Sequence, residues 1–274
     1  MSKTIFITGS STGIGRATVE LFSQKGWNVA ATMRTPEKEQ ALSELPGVKL
    51  YRMDVTDTQS VEAARDKAIQ DFGQIDVVVN NAGYAVSGYF ENMTEEQIRR
   101  QYDVNVFGLM HVTKAFLPHF RANAGGTFVN ISSIGGIVGV PGLYVYNSTK
   151  FAVEGFSEGI SHELKQLGIR IKIIEPGNIG TDFYGRSMEQ VPNVIADYDK
   201  VTEKQMQTQA RQDRKPQTTR LQPSVIAELI YEAVNDTSDR MRYLSQDVVG
   251  MAESRQQIGA DAFAVNMRKM FYGE

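Results

Sequence analysis

Short, strongly apolar runs recur along the chain, separated by stretches in which apolar residues return every three or four positions. TIFIT (4–8), NVAATM (28–33), VKLYRM (48–53), IDVVVN (75–80), GTFVNIS (126–132) and IRIKIIE (169–175) are the strand candidates. They are near-continuous in Val and Ile instead of alternating with polar residues, as parallel strands covered on both faces require. Helices are predicted over 14–25, 37–44, 58–72, 94–123 and 146–167. Thr58 ahead of QSVEAA and Thr94 ahead of EEQ supply start signals for two of them. Alternation of this kind predicts the α/β class: a doubly wound parallel β-sheet of about seven strands with helices on both faces.

Residues 183–222 break the pattern. They are rich in Gln, Asp, Arg and Lys and contain Pro192 and Pro216, and they are expected to form a long functional loop over a substrate. A C-terminal extension, about 247–274, reads as helical and is expected to reach the substrate mouth or a neighbouring subunit. No repeat or linker divides the chain, so 1–274 is expected to be one domain.

The 274 residues are 41% apolar, enough for a sizeable core, and the formal net charge of −3 gives no reason to expect nucleic acid or an anionic membrane as partner. The absence of cysteine excludes disulfides and thiolate metal sites. His111, His119 and His162 are scattered, with no acidic cluster at ligand spacing, so no metal site is expected. The N-terminus lacks a signal-peptide core and no apolar run is long enough to span a bilayer; a cytoplasmic location is expected.

The first strand runs directly into TGSSTGIGR, placing Gly9, Gly13 and Gly15 at a strand-to-helix turn. Glycine lets backbone approach a ligand closely, and the helix that follows points free N–H groups at an anion. A dinucleotide pyrophosphate is held in this way in Rossmann-like sheets. Glycines at such a turn also occur without a ligand, and the spacing here is one residue longer than G-x-G-x-x-G.

Further motifs narrow the reading. Thr8 to Gly15 fits T-G-x-x-x-G-x-G; Asn80, Asn81, Ala82 and Gly83 end the fourth strand; Ser133 stands thirteen residues before Tyr146, which is followed by Lys150 in a Y-x-x-x-K pattern; Asn105 lies in DVNVFG; Pro176, Gly177 and Thr181 follow the sixth strand. Over about residues 3–250 the sequence thus resembles the short-chain dehydrogenase/reductase family, its short branch, with steroid and retinol dehydrogenases and bacterial carbonyl reductases nearest in motif detail. The resemblance implies a dinucleotide site that also takes in Ser11, Thr12, Ile14, Val55 and Ile179. It implies that Asn105 anchors a water linking the lysine to solvent.

The catalytic set can also be argued from its chemistry. Tyr146 and Lys150 are four apart and share a helical face. A free phenol titrates near 10; an ammonium beside it favours the phenolate and brings it toward neutral pH. Tyr146 is therefore expected to pass a proton to a carbonyl oxygen or take one from an alcohol, with Ser133 holding that oxygen. Ser132 would point to the opposite face of its strand. Tyr144, two residues before Tyr146, either lines the substrate pocket or is merely packed nearby.

Met33 ends the second strand where an acid would contact the ribose hydroxyl of NAD, and Arg34 follows. A guanidinium there can pair a 2′-phosphate, so NADP(H) is expected over NAD(H), although a lone arginine can be an ordinary surface charge. Asp54 matches the acid the family places beside the adenine, or else it caps the next loop. Phe183, Tyr184, Tyr144 and Val86 are expected to give the substrate, a ketone or aldehyde interconverted with its alcohol, an apolar wall. A dinucleotide-binding sensor without turnover is the alternative; it has no need of Ser133, Tyr146 and Lys150. The long helices 94–123 and 146–167 are the surfaces on which the family forms dimers and tetramers, and a homodimer or homotetramer is expected.

Overall fold

The computed structural model describes residues 2–180, 187–212 and 220–273. Its main sheet comprises β1 (Thr4–Ile7), β2 (Asn28–Met33), β3 (Val48–Arg52), β4 (Val77–Asn80), β6 (Gly126–Ile131), β7 (Ile169–Glu175) and β9 (Arg242–Leu244), in the order β3-β2-β1-β4-β6-β7-β9 with every pairing parallel. A second, two-stranded sheet pairs β5 (Ala85–Ser87) with β8 (Met188–Gln190). The helices are α1 (Gly13–Gln24), α2 (Thr58–Phe72), α3 (Glu95–Tyr102), α4 (Gly108–Ala122), α5 (Tyr144–Leu164), α6 (Asp199–Gln212), α7 (Pro223–Asn235), α8 (Val249–Ile258) and α9 (Ala260–Tyr272).

Neighbouring residues of each buried strand point to opposite faces, and both faces are filled. Ile5, Ile7, Val29, Ala31, Val77 and Val79 pack with Val19 and Phe22 of α1 and with Ile226 and Ile230 of α7. Phe6, Ala30, Val78 and Phe128 pack with Ala64 of α2, Phe116 and Phe120 of α4 and Leu164 of α5. The Phe6 and Phe116 rings meet at 4.7 Å between centroids and Phe120 and Phe128 at 4.8 Å. This is the expected doubly wound α/β sheet, and its winding reverses between β1 and β4. The ends of those two strands open the crevice where ligands bind in such sheets.

Some local expectations change. Residues 37–44 form no α-helix but two short 3-10 turns, Pro36–Lys38 and Ala41–Glu44. Too few residues separate Pro36 from Pro46 for a helix to propagate, and the first turn lacks a side-chain cap. The predicted helix 94–123 is interrupted by a π-helical turn, Asp103–Phe107, between α3 and α4. The stretch 183–222 is not all loop: it contains β8 and α6. α7 was not among the predicted helices, although Pro223 at its first turn and Ile226, Ile230, Ala233 and Val234 along one face were the available signal. No helix among the described residues is long and apolar enough to cross a membrane.

Candidate active site

The crevice between β1 and β4 is held shut at its base by side chains. Thr8 Oγ1 accepts from the backbone N–H groups of Asn81 (2.9 Å) and Ala82 (2.8 Å), while Asn81 Nδ2 donates to the carbonyls of Thr8 (2.8 Å) and Gly9 (3.0 Å). Asn80 is buried below, donating to Asn130 Oδ1 at 2.9 Å. Gly9 has φ +67°, in the left-handed region, and a Cβ on Gly15 would stand 2.4 Å from the Gly9 carbonyl oxygen. Neither position accepts a side chain.

These contacts turn the N-terminus of α1 into the crevice. Its N-cap, Thr12, makes no side-chain cap and the first turn holds no acid. The first N–H groups of the helix, with the positive end of its dipole, are therefore left to an anion, and Ser11, Gly13 and Ile14 sit on the same turn. The residues fit a dinucleotide pyrophosphate. Along the crest of the sheet, Met33 is buried at the end of β2 and Arg34 is exposed beside it. No ion pair engages the Arg34 side chain among the described residues. Asp54 Oδ1 accepts from the backbone N–H (3.0 Å) and hydroxyl (2.7 Å) of Thr56, so this carboxylate does cap the turn after β3. Val55 and Ile179 bury their side chains in the core, leaving their backbones as the parts able to meet a ligand.

On the other side of β4 the catalytic candidates converge. Tyr146 and Lys150 lie on the buried face of α5, with Lys150 Nζ 5.6 Å from the centre of the Tyr146 ring. The same ammonium donates to the carbonyl of Ile131 at 2.8 Å. Burial lowers Lys150 to about 8, with Glu154 acting against that shift. Ser133 caps a 3-10 turn, Ile134–Gly136, just beyond β6, its Oγ accepting from the Gly135 N–H at 3.0 Å. A Cβ on Gly135 would lie 3.4 Å from Tyr146 Cε1 and 3.5 Å from Ser133 Oγ, so phenol and hydroxyl border one small space. Ser132 faces away from that space and is buried.

Asn105 lies in the π turn and is buried; its Nδ2 donates to the Tyr84 carbonyl (2.9 Å) and Thr149 Oγ1 (3.1 Å), and its Oδ1 accepts from the Tyr84 N–H (3.1 Å). Its side chain thus locks the β4–β5 loop to α5. A Cβ on Gly83 would stand 3.2 Å from Asn105 Oδ1 and 3.8 Å from Lys150 Nζ, so these three residues meet at one point. Pro176 and Gly177 follow β7 nearby, Pro176 accepting from the Ile134 N–H at 2.9 Å and Gly177 donating to Ser245 Oγ at 2.9 Å. Thr181, Phe183 and Tyr184 lie outside the described residues.

Tyr144 opens α5 and is 37% exposed. It lies near Tyr198, just before α6, and Tyr272, at the end of α9. Tyr198 stacks on Tyr89 at 4.2 Å, giving the mouth an aromatic rim. Val86, by contrast, is fully buried with Met93 and Val145 and forms no wall. Behind the rim, Phe263 and Met267 of α9 pack on Val138, Ile134, Ile137 and Val140, roofing the loop that begins at Ser133. Of the residues named from the sequence, Thr8 and Asn81 turn out to carry the joint itself, and Glu154, Glu175 and Arg242 beneath Lys150 were missed. An acid four residues after Lys150 on the same apolar face was the available signal.

Comparison with known proteins identifies the family. A family model described as short chain dehydrogenase matches residues 3–192. An uncharacterized oxidoreductase of Schizosaccharomyces pombe is 39% identical over 86% of this chain and 98% of its own. A 3-ketodihydrosphingosine reductase of Bacteroides thetaiotaomicron is 36% identical over 71% of each chain. Among solved structures, a short-chain dehydrogenase from Streptomyces avermitilis superposes with a TM-score of 0.81 at 29% identity, covering 98% of this chain and 96% of that one. ElxO, solved with NADP bound, gives 0.72 at 26% identity, covering 93% and 100%. The chain belongs to the short-chain dehydrogenase/reductase family of oxidoreductases.

Proposed function

We propose that this chain is an NADP(H)-dependent reductase of ketones or aldehydes, reversible toward the alcohol, in which Tyr146 is the general acid and base. The convergence of Ser133, Tyr146 and Lys150 on one space carries this reading. The reduced dinucleotide, when bound, supplies the hydride to the carbonyl carbon. Ser133 Oγ holds the carbonyl oxygen by donating a hydrogen bond to it. Tyr146 gives that oxygen its proton and is left as a phenolate, which the Lys150 ammonium stabilises across the short gap between them. Burial of this set keeps the charge interaction strong.

NADP(H) over NAD(H) is supported by the apolar Met33 and the unengaged guanidinium of Arg34; ElxO, solved with NADP, is a relative in fold and sequence. A contribution of Asp54 to the adenine pocket goes with that reading. A substrate with an apolar body is supported by the aromatic rim of Tyr89, Tyr144 and Tyr198 and by the apolar roof of Phe263 and Met267. The name of the Bacteroides relative points to a keto substrate for that protein. The chain is further proposed to act as one catalytic domain, cytoplasmic, and paired into a homodimer or homotetramer. The exposed Phe107 and Phe151, beside α4 and on α5, support such pairing.

The test is loss of reduced-nicotinamide absorbance with NADPH and a panel of aldehydes and ketones, for wild type and Tyr146→Phe. Turnover by wild type that falls by about 10²–10⁴ in the variant is expected. Equal turnover by both, or turnover of small charged keto acids alone, would overturn the reading.

A further inference from the structure

Beneath Lys150 lies a set of charges that the reaction above does not use. Glu154 follows Lys150 by one turn of α5, and Glu175 ends β7; they are 6% and 1% exposed. Arg242 of β9 stands between them, its Nε 3.1 Å from Glu154 Oε2 and 3.6 Å from Glu175 Oε1. The Arg242 guanidinium also pairs with Glu158, the next acid along α5 and largely exposed, at 2.6 Å. Glu154 Oε1, Glu175 Oε1 and the hydroxyl of Ser132 are all buried without a well-formed hydrogen bond.

A single guanidinium shared among three carboxylates leaves the buried pair short of positive charge. Two like charges at close range do not ionise together at ordinary cost. Burial pushes Glu175 up to about 7, and the neighbouring Glu154 adds to that shift while Arg242 opposes it. Glu154 is also raised by burial, but Ser132, Arg242 and Lys150 all favour its ionised form. With the guanidinium closer to it, Glu154 is the member better placed to hold the charge, one helical turn from Lys150, and Glu175 the member better placed to hold a proton.

We propose that Glu154, clamped by Arg242 and set against Glu175, is the internal counter-charge that keeps Lys150 protonated, and so is a positioning residue for proton transfer at Tyr146. The other titratable groups brought to this part of α5 are Tyr146 itself, Glu158 and His162 further along the helix, and Tyr102 and Asp103 from the segment packed on its opposite side. None of these is a buried anion beside Lys150; among the described residues Glu154 is the acid that favours its charged form. Glu175 has the opposite influence at one remove, because ionising it would push a proton onto Glu154.

The proposal rests on the catalytic reading of Lys150, yet its test needs no turnover. Full-length protein labelled with ¹³C at the lysine ε-carbon is titrated by NMR, the Lys150 resonance being assigned by its loss in Lys150→Met. In Glu154→Gln the Lys150 midpoint is expected to fall by about one pH unit. In Glu175→Gln it stays or rises, since Glu154 then ionises without a rival. The upper limb of the pH–kcat profile moves in the same senses. Should Glu154→Gln fail to fold, as judged by thermal unfolding, Arg242→Gln serves instead and is expected to lower the midpoint in the same direction. A cluster that only ties β9 to α5 would destabilise each variant and leave the Lys150 midpoint unchanged. An unchanged midpoint, or equal falls in Glu154→Gln and Glu175→Gln, would overturn the proposal. Absent turnover with shifted midpoints would sink the reductase reading alone.

Discussion

Lys150 reaches from α5 to the last residue of β6, where its ammonium donates to the Ile131 carbonyl at 2.8 Å. That bond aims the charge at the Tyr146 ring and fixes the strand that delivers Ser133. It also leaves a cation in a buried place, and the lysine sits at about 8 instead of its ordinary 10.5.

A sign follows for Lys150. Its folded-state pKa lies below the unfolded one, so the native state binds fewer protons between about 8 and 10.5, and stability rises with pH across that window. Below it the buried charge is a net cost. Lys150→Met removes that cost but leaves the Ile131 carbonyl unpaired, so the melting temperature at pH 7 is expected to change little while kcat falls by about 10²-fold or more. In wild type, reductase activity declines as pH rises through about 8. A variant that melts lower and retains its activity would contradict this.

Gly15→Ala tests the dinucleotide cradle. The new methyl would meet the Gly9 carbonyl oxygen and Asn81 Nδ2 at 2.4 and 2.5 Å, both already committed to the joint between β1 and β4. Overpacking of this kind costs about 1–3 kcal/mol. Calorimetry with NADPH is expected to show affinity down by about tenfold or more, with a lower melting temperature.

Arg34→Ala addresses cofactor choice. A guanidinium on a phosphate is worth about 1.5–3 kcal/mol, so NADPH affinity should drop by about tenfold or more while NADH affinity hardly changes. Equal losses for both cofactors, measured by fluorescence titration, would remove Arg34 from the 2′-phosphate site.

Lys172 offers a stability test far from the chemistry. Fully buried on β7, it donates to the carbonyls of Ser238 (3.0 Å) and Arg240 (2.6 Å) and to Tyr243 Oη (3.2 Å). Tyr243 in turn donates to Asp236 Oδ2 at 2.5 Å. Lys172→Met would leave buried acceptors unpaired, at about 1–3 kcal/mol each, and the melting temperature should fall by several degrees. Cofactor affinity should change little, because the 236–243 turn does not touch the glycine crevice.

The six long strands, α1, α2, α5 and the Tyr146–Lys150 pair were legible because each rests on local periodicity or fixed spacing. β9 was not: its three residues, Arg-Tyr-Leu, carry no strand pattern, and only pairing with Ile173, Ile174 and Glu175 makes them a strand. The π turn at Asn105 escaped for a related reason. A helical repeat predicts continuous α-helix there, whereas the extra residue accommodated by the π turn is what carries Asn105 to the Tyr84 backbone. Glu154 and Glu175 were hidden because apolar periodicity treats an acid on the inner face as an interruption. The aromatic mouth depends on Tyr89, Tyr198 and Tyr272, which are far apart in the chain and meet only through tertiary packing.

The roof of Phe263 and Met267 over the loop that begins at Ser133 bears on how the protein is made. During synthesis the residues that close the glycine crevice, through Ala82, emerge well before α9 exists. Until then Ile134, Ile137 and Val140 have no cover, and the nascent chain carries an exposed oily surface beside a half-built site. Maturation of activity should therefore trail cofactor binding, and a chaperone acting on this protein would find its grip on that loop.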